Sequence, residues 1–365
     1  MNKIRILHFE LDSNPGGIET FLLNLYEQID RERFQFDFVT RSVHPANKEV
    51  FEKLGGHVFH VTTYKKPFRY MRDIQKILEK KYDIIHIHKN SAANILPAIA
   101  AKKYSDSVVI VHSHNTRPSV DGAYLLHKLN RARLYHLADV HLACSDAAGR
   151  WLYGTHEYKV ISNGIEMQKF CFRKDVRDRY RKDLKIDTKD FVIIHVGRFT
   201  EQKNHRKLLD IFKCITYMKK NCRLILVGTG PTQNEIKEYA QKLGMGKRTL
   251  FLNNRDDVNY LLMAADCFVM PSLYEGLPFA AIEAQATGIP VYLADTISQE
   301  TSVSDGVQWF SLEDSDREIA NLIRIKKVPE QVRIEKNKIL QGSPYNIKVS
   351  VEQMQKVYDK LGNGR

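Results

Sequence analysis

Short apolar runs, each too brief to be a buried helix, recur along the whole chain and alternate with stretches of helical period. In the first half they fall at 4–9, 34–40, 57–61, 83–87, 108–112, 139–144 and 158–161. In the second half they fall at 191–196, 223–227, 249–252, 267–270, 290–293 and 307–310. Strands that alternate with helices must cross over to pair, and crossover connections give parallel sheets covered on both faces. At 365 residues the chain is too long for one ordinary core. A polar, basic run from Arg173 to Asp190 separates the two series of strands. The pattern therefore predicts two α/β domains, 1–168 and 169–344, with a terminal helical segment, 345–365.

Composition narrows the function. With 43% hydrophobic and 27% charged residues, both domains can bury cores. No run approaches the roughly 18 apolar residues that a membrane span requires. The N-terminus enters a strand directly, so no signal peptide is expected. Five scattered cysteines, with no C-x-x-C among them, read as reduced, packed thiols of a cytosolic protein. The net charge of +13 points to an anionic partner or a solvated basic surface. No nucleic-acid motif accompanies it, and aromatics are not interleaved with the basic residues as in a single-strand groove. Tyr124 to Leu142 mixes leucines with lysine, arginine and histidine, as a basic helix resting on an anionic membrane would. A core-facing helix with a basic outer side explains the same residues. No metal site is suggested, and Asp314-Ser315-Asp316 reads as a polar turn before a helix.

The segment Val269 to Glu283 carries the most chemistry. An apolar strand end leads through Pro271-Ser272-Leu273-Tyr274-Glu275-Gly276 to Leu277-Pro278-Phe279 and an alanine-rich helix. Proline suits a first helical position, and Gly288 with Pro290 ends the run. The helix start offers free N–H groups and a positive dipole end, which together attract phosphate. Glu275 in the turn and Glu283 in the helix would repel phosphate, so they must face donors such as sugar hydroxyls. A sugar nucleotide has both parts. Upstream, the strand Phe191 to Val196 ends in Gly197-Arg198-Phe199-Thr200-Glu201-Gln202-Lys203-Asn204. Arg198 and Lys203 thus lie where α/β sheets bind ligands, and fork plus point charge suits a diphosphate. His195, inside that strand, reads as packed. Near the N-terminus, Asn14-Pro15-Gly16-Gly17 links a strand to a helix, and two glycines there admit a ligand close to the backbone. Taken singly, each of these pieces has a plainer reading as a solvated loop.

Taken together, the segments resemble the retaining family 4 glycosyltransferases, whose donor motif runs S-x-x-E-G-x-P with a second Glu in the following helix. The resemblance implies the GT-B fold: α/β, with two Rossmann-like domains facing across a cleft and a C-terminal helix that returns to the first domain. It implies that Arg198 and Lys203 hold a donor diphosphate, Glu275 the sugar hydroxyls and Glu283 the ribose. Gly276, Leu277, Pro278 and Phe279 would line the phosphate site. Gly16 and Gly17 match the family's N-terminal glycine loop, and Ser162-Asn163-Gly164-Ile165 its crossover signature. Gly228, in Val227-Gly228-Thr229-Gly230-Pro231, matches a turn by the nucleoside pocket, whereas Asn253-Asn254 departs from the family's usual glycine. His112 and His114, in Val111-His112-Ser113-His114-Asn115-Thr116, are the candidates for a histidine that meets donor or acceptor. His86 and His88 are expected to be structural or near the acceptor.

The wording of the N-terminal stretch is similar to bacterial exopolysaccharide and capsule enzymes. The implied activity is retaining, metal-independent sugar transfer, needing no cofactor, from a UDP-linked or other nucleoside-diphosphate sugar. The implied acceptor is a glycan, lipid-linked at the inner face of the cell membrane. Two other readings stay open at this point: a non-catalytic sugar-nucleotide or polysaccharide-binding subunit, and a sugar-nucleotide epimerase of the same architecture.

Overall fold

A computed structural model describes residues 3–13, 17–115, 123–275 and 277–362. The chain divides into two compact units, one of 1–164 with 344–365 and the other of 165–343.

The first unit holds seven parallel strands: β1 (Ile4–Leu11), β2 (Phe34–Thr40), β3 (Val58–His60), β4 (Ile84–Lys89), β5 (Val108–Ser113), β6 (Val140–Ala143) and β7 (Lys159–Val160). Their order is β3-β2-β1-β4-β5-β6-β7. Both faces are covered, which is why these strands read as continuous apolar runs. One face (Leu7, Phe9, Ile85, Ile87, Val109, Val111) packs under helices Pro67–Leu78, Leu96–Tyr104 and Asp146–Tyr153. The alternate residues (Ile6, Phe36, Ile84, Ile110, Leu142) pack against helices Gly17–Gln28 and Ile347–Gly362. The terminal helix thus belongs to the first unit, where it buries Ile347, Val351, Met354 and Tyr358.

The second unit holds six parallel strands: β8 (Phe191–Val196), β9 (Cys222–Val227), β10 (Thr249–Leu252), β11 (Cys267–Met270), β12 (Val291–Ala294) and β13 (Val307–Phe310). Their order, β10-β9-β8-β11-β12-β13, repeats that of the first six strands of the other unit. Strand order reverses between β1 and β4, and again between β8 and β11. Open α/β sheets bind ligands beyond the carboxyl ends of the strands at such switch points.

Every strand expected from the apolar runs is present, with three instructive differences. Strand β1 continues past Phe9 to Leu11 through a register shift. Glu10, at the shift, has the left-handed φ of 83°. Strand β4 likewise extends to Lys89, whose ammonium is buried against Glu10. A charged pair, invisible to a hydrophobic pattern, thus prolongs both strands. Finally, Pro278 precedes helix Phe279–Ala286 instead of opening it, because its ψ of 107° is extended. Ser315 ends the Asp314-Ser315-Asp316 turn by capping helix Asp316–Leu322 with a reciprocal Ser315–Glu318 capping box.

Candidate active site

The second unit's switch point gathers four of the expected residues. Loop 197–204 leaves the end of β8, and 271–275 leaves β11. The two are tied by the Leu273 N–H donating to the Gln202 carbonyl at 2.8 Å. Arg198 is exposed and, among the described residues, its guanidinium has no side-chain partner. Lys203 is largely buried, and its ammonium meets the Glu275 carboxylate at 2.6 Å. Gln202 donates to the same carboxylate at 3.1 Å. The stem of Lys203 crosses Gly197 so closely that a Cβ there would lie 3.1 Å from it. The Glu275 backbone is pinned too, because its carbonyl accepts from the Ser298 N–H at 3.2 Å. Ser272 is fully buried. As expected, His195 is packed within its strand, with Nδ1 2.9 Å from the Val269 carbonyl.

The glycine turn after β9 faces these loops with its backbone. Gly228 has φ 136°, and a Cβ on it would sit 2.2 Å from the Gly197 carbonyl. A Cβ on Gly230 would sit equally close to the Phe199 carbonyl. Both positions need glycine because two main chains touch there. Close backbone packing is therefore the reason this structure gives for Gly228. Beyond the turn, Thr229 donates to Asn254 and Gln233 to Asn253, at 3.1 and 3.2 Å. The two asparagines that depart from the family pattern thus brace the neighbouring loop.

Helix Phe279–Ala286 begins without a side-chain cap, so its first turn keeps N–H groups available. Pro278 is buried, and Leu277 and Phe279 are half-buried beside it. Gly276 lies outside the described residues. Glu283 is half-buried one turn into the helix, and no hydrogen bond or ion pair to its carboxylate occurs among the described residues. Loss of water pushes that carboxyl up to about 7.

In the first unit, Gly16 lies outside the described residues, and Gly17 opens its helix with free space on its Cβ side. At the switch point, Glu10 is held by Lys89 at 2.7 Å, by the Tyr64 hydroxyl and by Arg41 at 3.4 Å. Burial raises the Glu10 carboxyl, but Lys89 and Arg41 outweigh it, and the net shift is downward.

The histidines expected separately, His86 and His88 as structural or acceptor-side residues and His112 and His114 as donor or acceptor contacts, lie together in one cluster. His86 pairs with His8 across β4 and β1, and His88 with His112 across β4 and β5. With His114, they form one assembly on a single face of the sheet. His88 Nδ1 lies 2.9 Å from His114 Nε2, and His88 Nε2 lies 3.1 Å from His8 Nδ1. His86 Nδ1 meets the Tyr358 hydroxyl at 2.8 Å. His112 is wholly buried, whereas His114 keeps an exposed edge. Residue-by-residue reading missed the assembly, though the i, i+2 spacing in Ile85-His86-Ile87-His88 and His112-Ser113-His114 places each pair on one face.

These two halves correspond to two known family models. Residues 15–169 match Glycosyltransferase Family 4, and residues 176–341 match Glycosyl transferases group 1. EpsF of Bacillus subtilis, a protein named as a glycosyltransferase, is 32% identical over 318 residues, which cover 83% of this chain and 82% of EpsF. The chain belongs to the family 4 glycosyltransferases. A second relative of this glycosyltransferase is the Escherichia coli UDP-Gal:alpha-D-GlcNAc-diphosphoundecaprenol alpha-1,3-galactosyltransferase. It is 28% identical, over 98% of this chain and 97% of that protein. Among solved structures, Anabaena Alr3699/HepE in complex with UDP matches with a TM-score of 0.79 at 20% identity, covering 98% of this chain and 100% of that one. That likeness establishes a fold of the GT-B type.

Proposed function

We propose that this glycosyltransferase moves a hexose from a UDP-sugar, with retention at the anomeric carbon, to a lipid-linked glycan of an exopolysaccharide or capsule. The observation that carries the reading is the Lys203–Glu275 pair at the β8/β11 switch point, with Arg198 in the same loop unpartnered among the described residues. An arriving diphosphate competes for Lys203 and completes a two-cation clamp with Arg198. Glu275, released from the ammonium, is then free to accept from sugar hydroxyls. The uncapped helix start at Phe279 adds N–H donors to the departing phosphate. Glu283 accepts from the ribose once ionised. These groups stabilise the leaving diphosphate by charge alone, so Mg²⁺ or Mn²⁺ bridging the phosphates is not required, and no cofactor or protein nucleophile takes part.

Relatives support the finer choices. The name of the Escherichia coli enzyme gives a UDP-linked donor, an alpha linkage and an acceptor on a lipid diphosphate. The Anabaena structure holds UDP.

A peripheral, cytoplasmic-face location is part of the same proposal. Helix Ala123–Leu137 turns His127 and Leu134 inward, and leaves Leu125 and Leu129 65% and 69% exposed beside Lys128 and Arg131. Outward leucines flanked by cations suit an anionic membrane surface. No helix among the described residues is long and apolar enough to cross a membrane.

The test is a donor screen on the purified protein with a lipid-diphosphate-linked amino sugar as acceptor. Nucleoside diphosphate release is the readout, with and without added Mg²⁺. Release from one UDP-sugar, unchanged by Mg²⁺, is expected, with the product's anomeric configuration matching the donor's. Binding of UDP without turnover on any acceptor would move the protein to the binding-subunit reading. Inversion at the anomeric carbon would remove the retaining mechanism.

A further inference from the structure

The imidazole assembly of the first unit has no role in the donor chemistry just described. It occupies the carboxyl-terminal half of the face on which Ile6, Ile84 and Ile110 fill the other half. Packing alone would be met by more isoleucine. Instead, five histidine rings stack against one another, with neighbouring centroids between 4.2 and 5.7 Å apart. Phe21, Phe36 and Phe38 wall them on the helix and β2 sides.

The hydrogen bonds do not account for these rings. A neutral imidazole has one N–H and one lone pair. Among the described residues, His8 Nε2, His86 Nε2, His114 Nδ1 and both nitrogens of His112 are buried without a partner. Buried polar groups left unpaired are rare, and one explanation is an ion that the site is built to hold. A neutral imidazole offers the lone pair that metal ligation requires.

Two triples have ligand atoms within 4.8 Å of one another: His8, His86 and His88, and His88, His112 and His114. The first is closed on all sides. The second includes the partly exposed His114, which gives an ion a route in and leaves a coordination position open. It also uses His112, neither of whose nitrogens has a hydrogen-bond partner among the described residues. Imidazole–zinc bonds of about 2.0–2.1 Å set tetrahedral nitrogens about 3.3 Å apart, so the 2.9 Å between His88 Nδ1 and His114 Nε2 needs only a small opening.

We propose that His88, His112 and His114 bind one divalent transition-metal ion of the zinc class. His8 is the positioning residue: it accepts from His88 Nε2–H and so presents the Nδ1 lone pair to the ion. An all-nitrogen donor set selects Zn²⁺, Co²⁺ or Ni²⁺ over Mg²⁺ or Ca²⁺. The ion ties the ends of β4 and β5 to the chain that follows β5, in a unit separate from the Arg198–Lys203 clamp. It is thus compatible with a donor diphosphate held without a metal.

The experiment uses tag-free, full-length protein stripped with a chelator and titrated with Zn²⁺ by calorimetry, and with Co²⁺ by visible absorption. One equivalent per chain is expected, with a Co²⁺ spectrum of low coordination number and a raised melting temperature. His8→Phe should weaken binding roughly 10–100-fold, the range for a lost outer-shell partner. His112→Asn and His114→Asn should weaken it further, while His112→Cys, which keeps a metal ligand in a similar volume, retains it. His86→Phe should leave it unchanged. Absence of stoichiometric uptake overturns the proposal, as does uptake lost in His86→Phe but kept in His114→Asn. If His112→Asn does not fold, the contrast between His112→Cys and His114→Asn still decides.

Discussion

The two units share one strand order, and each places a lysine–glutamate pair at its switch point, yet the pairs are built for different ends. In the first unit, Lys89 and Glu10 are joined by Tyr64 and Arg41, so the cations beside the carboxylate are both engaged. In the second, Lys203 and Glu275 meet, and Arg198 of the same loop is exposed and, among the described residues, without a side-chain partner. A pair that is fully engaged stabilises the fold. A pair with a spare cation at its edge is poised to exchange partners. Identical topology thus supplies the location, and the third charge decides between structure and ligand exchange.

The largest effects should separate the pairs cleanly. Lys89→Ala leaves the Glu10 carboxylate with only Arg41 and the Tyr64 hydroxyl and should cost about 1–3 kcal/mol of stability. Denaturant unfolding measures that loss, and UDP affinity of the folded fraction should not change. Lys203→Ala and Arg198→Ala should each lower turnover on the order of 10²–10³, and Arg198→Ala, at an exposed side chain, should leave melting nearly unchanged. Equal loss of UDP binding in both classes of variant would break the comparison.

Next in size is Gly228→Ala. A Cβ 2.2 Å from the Gly197 carbonyl, at φ 136°, should destabilise the second unit by about 1–3 kcal/mol. A melting curve tests this, and an unchanged midpoint would deny that the two turns touch.

Glu283 gives a pH signature. Its carboxyl is raised from 4.5 to about 7 in the fold, so between those values the native state holds a proton that the unfolded chain has released. That contribution to stability is complete below 4.5 and fades as pH rises through 7. Donor binding has the opposite slope, because the ribose needs the carboxylate. Affinity for UDP should rise by up to about tenfold per pH unit below 7 and level off above it. Calorimetry in buffers of differing ionisation enthalpy should detect the released proton, and Glu283→Gln should flatten the profile. The smallest effect on stability, within about 0.5 kcal/mol, is expected for Leu125→Glu with Leu129→Glu. Sedimentation with anionic vesicles should nevertheless show binding lost.

The strands were legible because parallel sheets buried on both faces leave unbroken apolar runs. The donor side was legible because its chemistry is local: Arg198 and Lys203 share one loop, and Glu275 and Glu283 share one turn-and-helix. What stayed hidden depends on register. His8 and His114 lie at opposite ends of the first domain's central strands in sequence, and only the pairing of β1, β4 and β5 brings them together. The Lys203–Glu275 contact was hidden for the same reason. Each residue could be assigned a ligand, but their resting attachment to one another spans three crossovers. The outward leucines of helix Ala123–Leu137 were read as facing the core as readily as solvent, since nothing local says that His127 takes the inward place against Trp151.

Helix Ile347–Gly362 has one further consequence, for biogenesis. It closes a core begun by the chain's opening strand, and Tyr358 is sealed against His86. A ribosome delivers that helix only after all of 165–343. The second unit can therefore reach its native state while the first still displays an unfinished apolar face. During that interval the first unit's exposed apolar face is open to aggregation, and docking of the helix is what closes it.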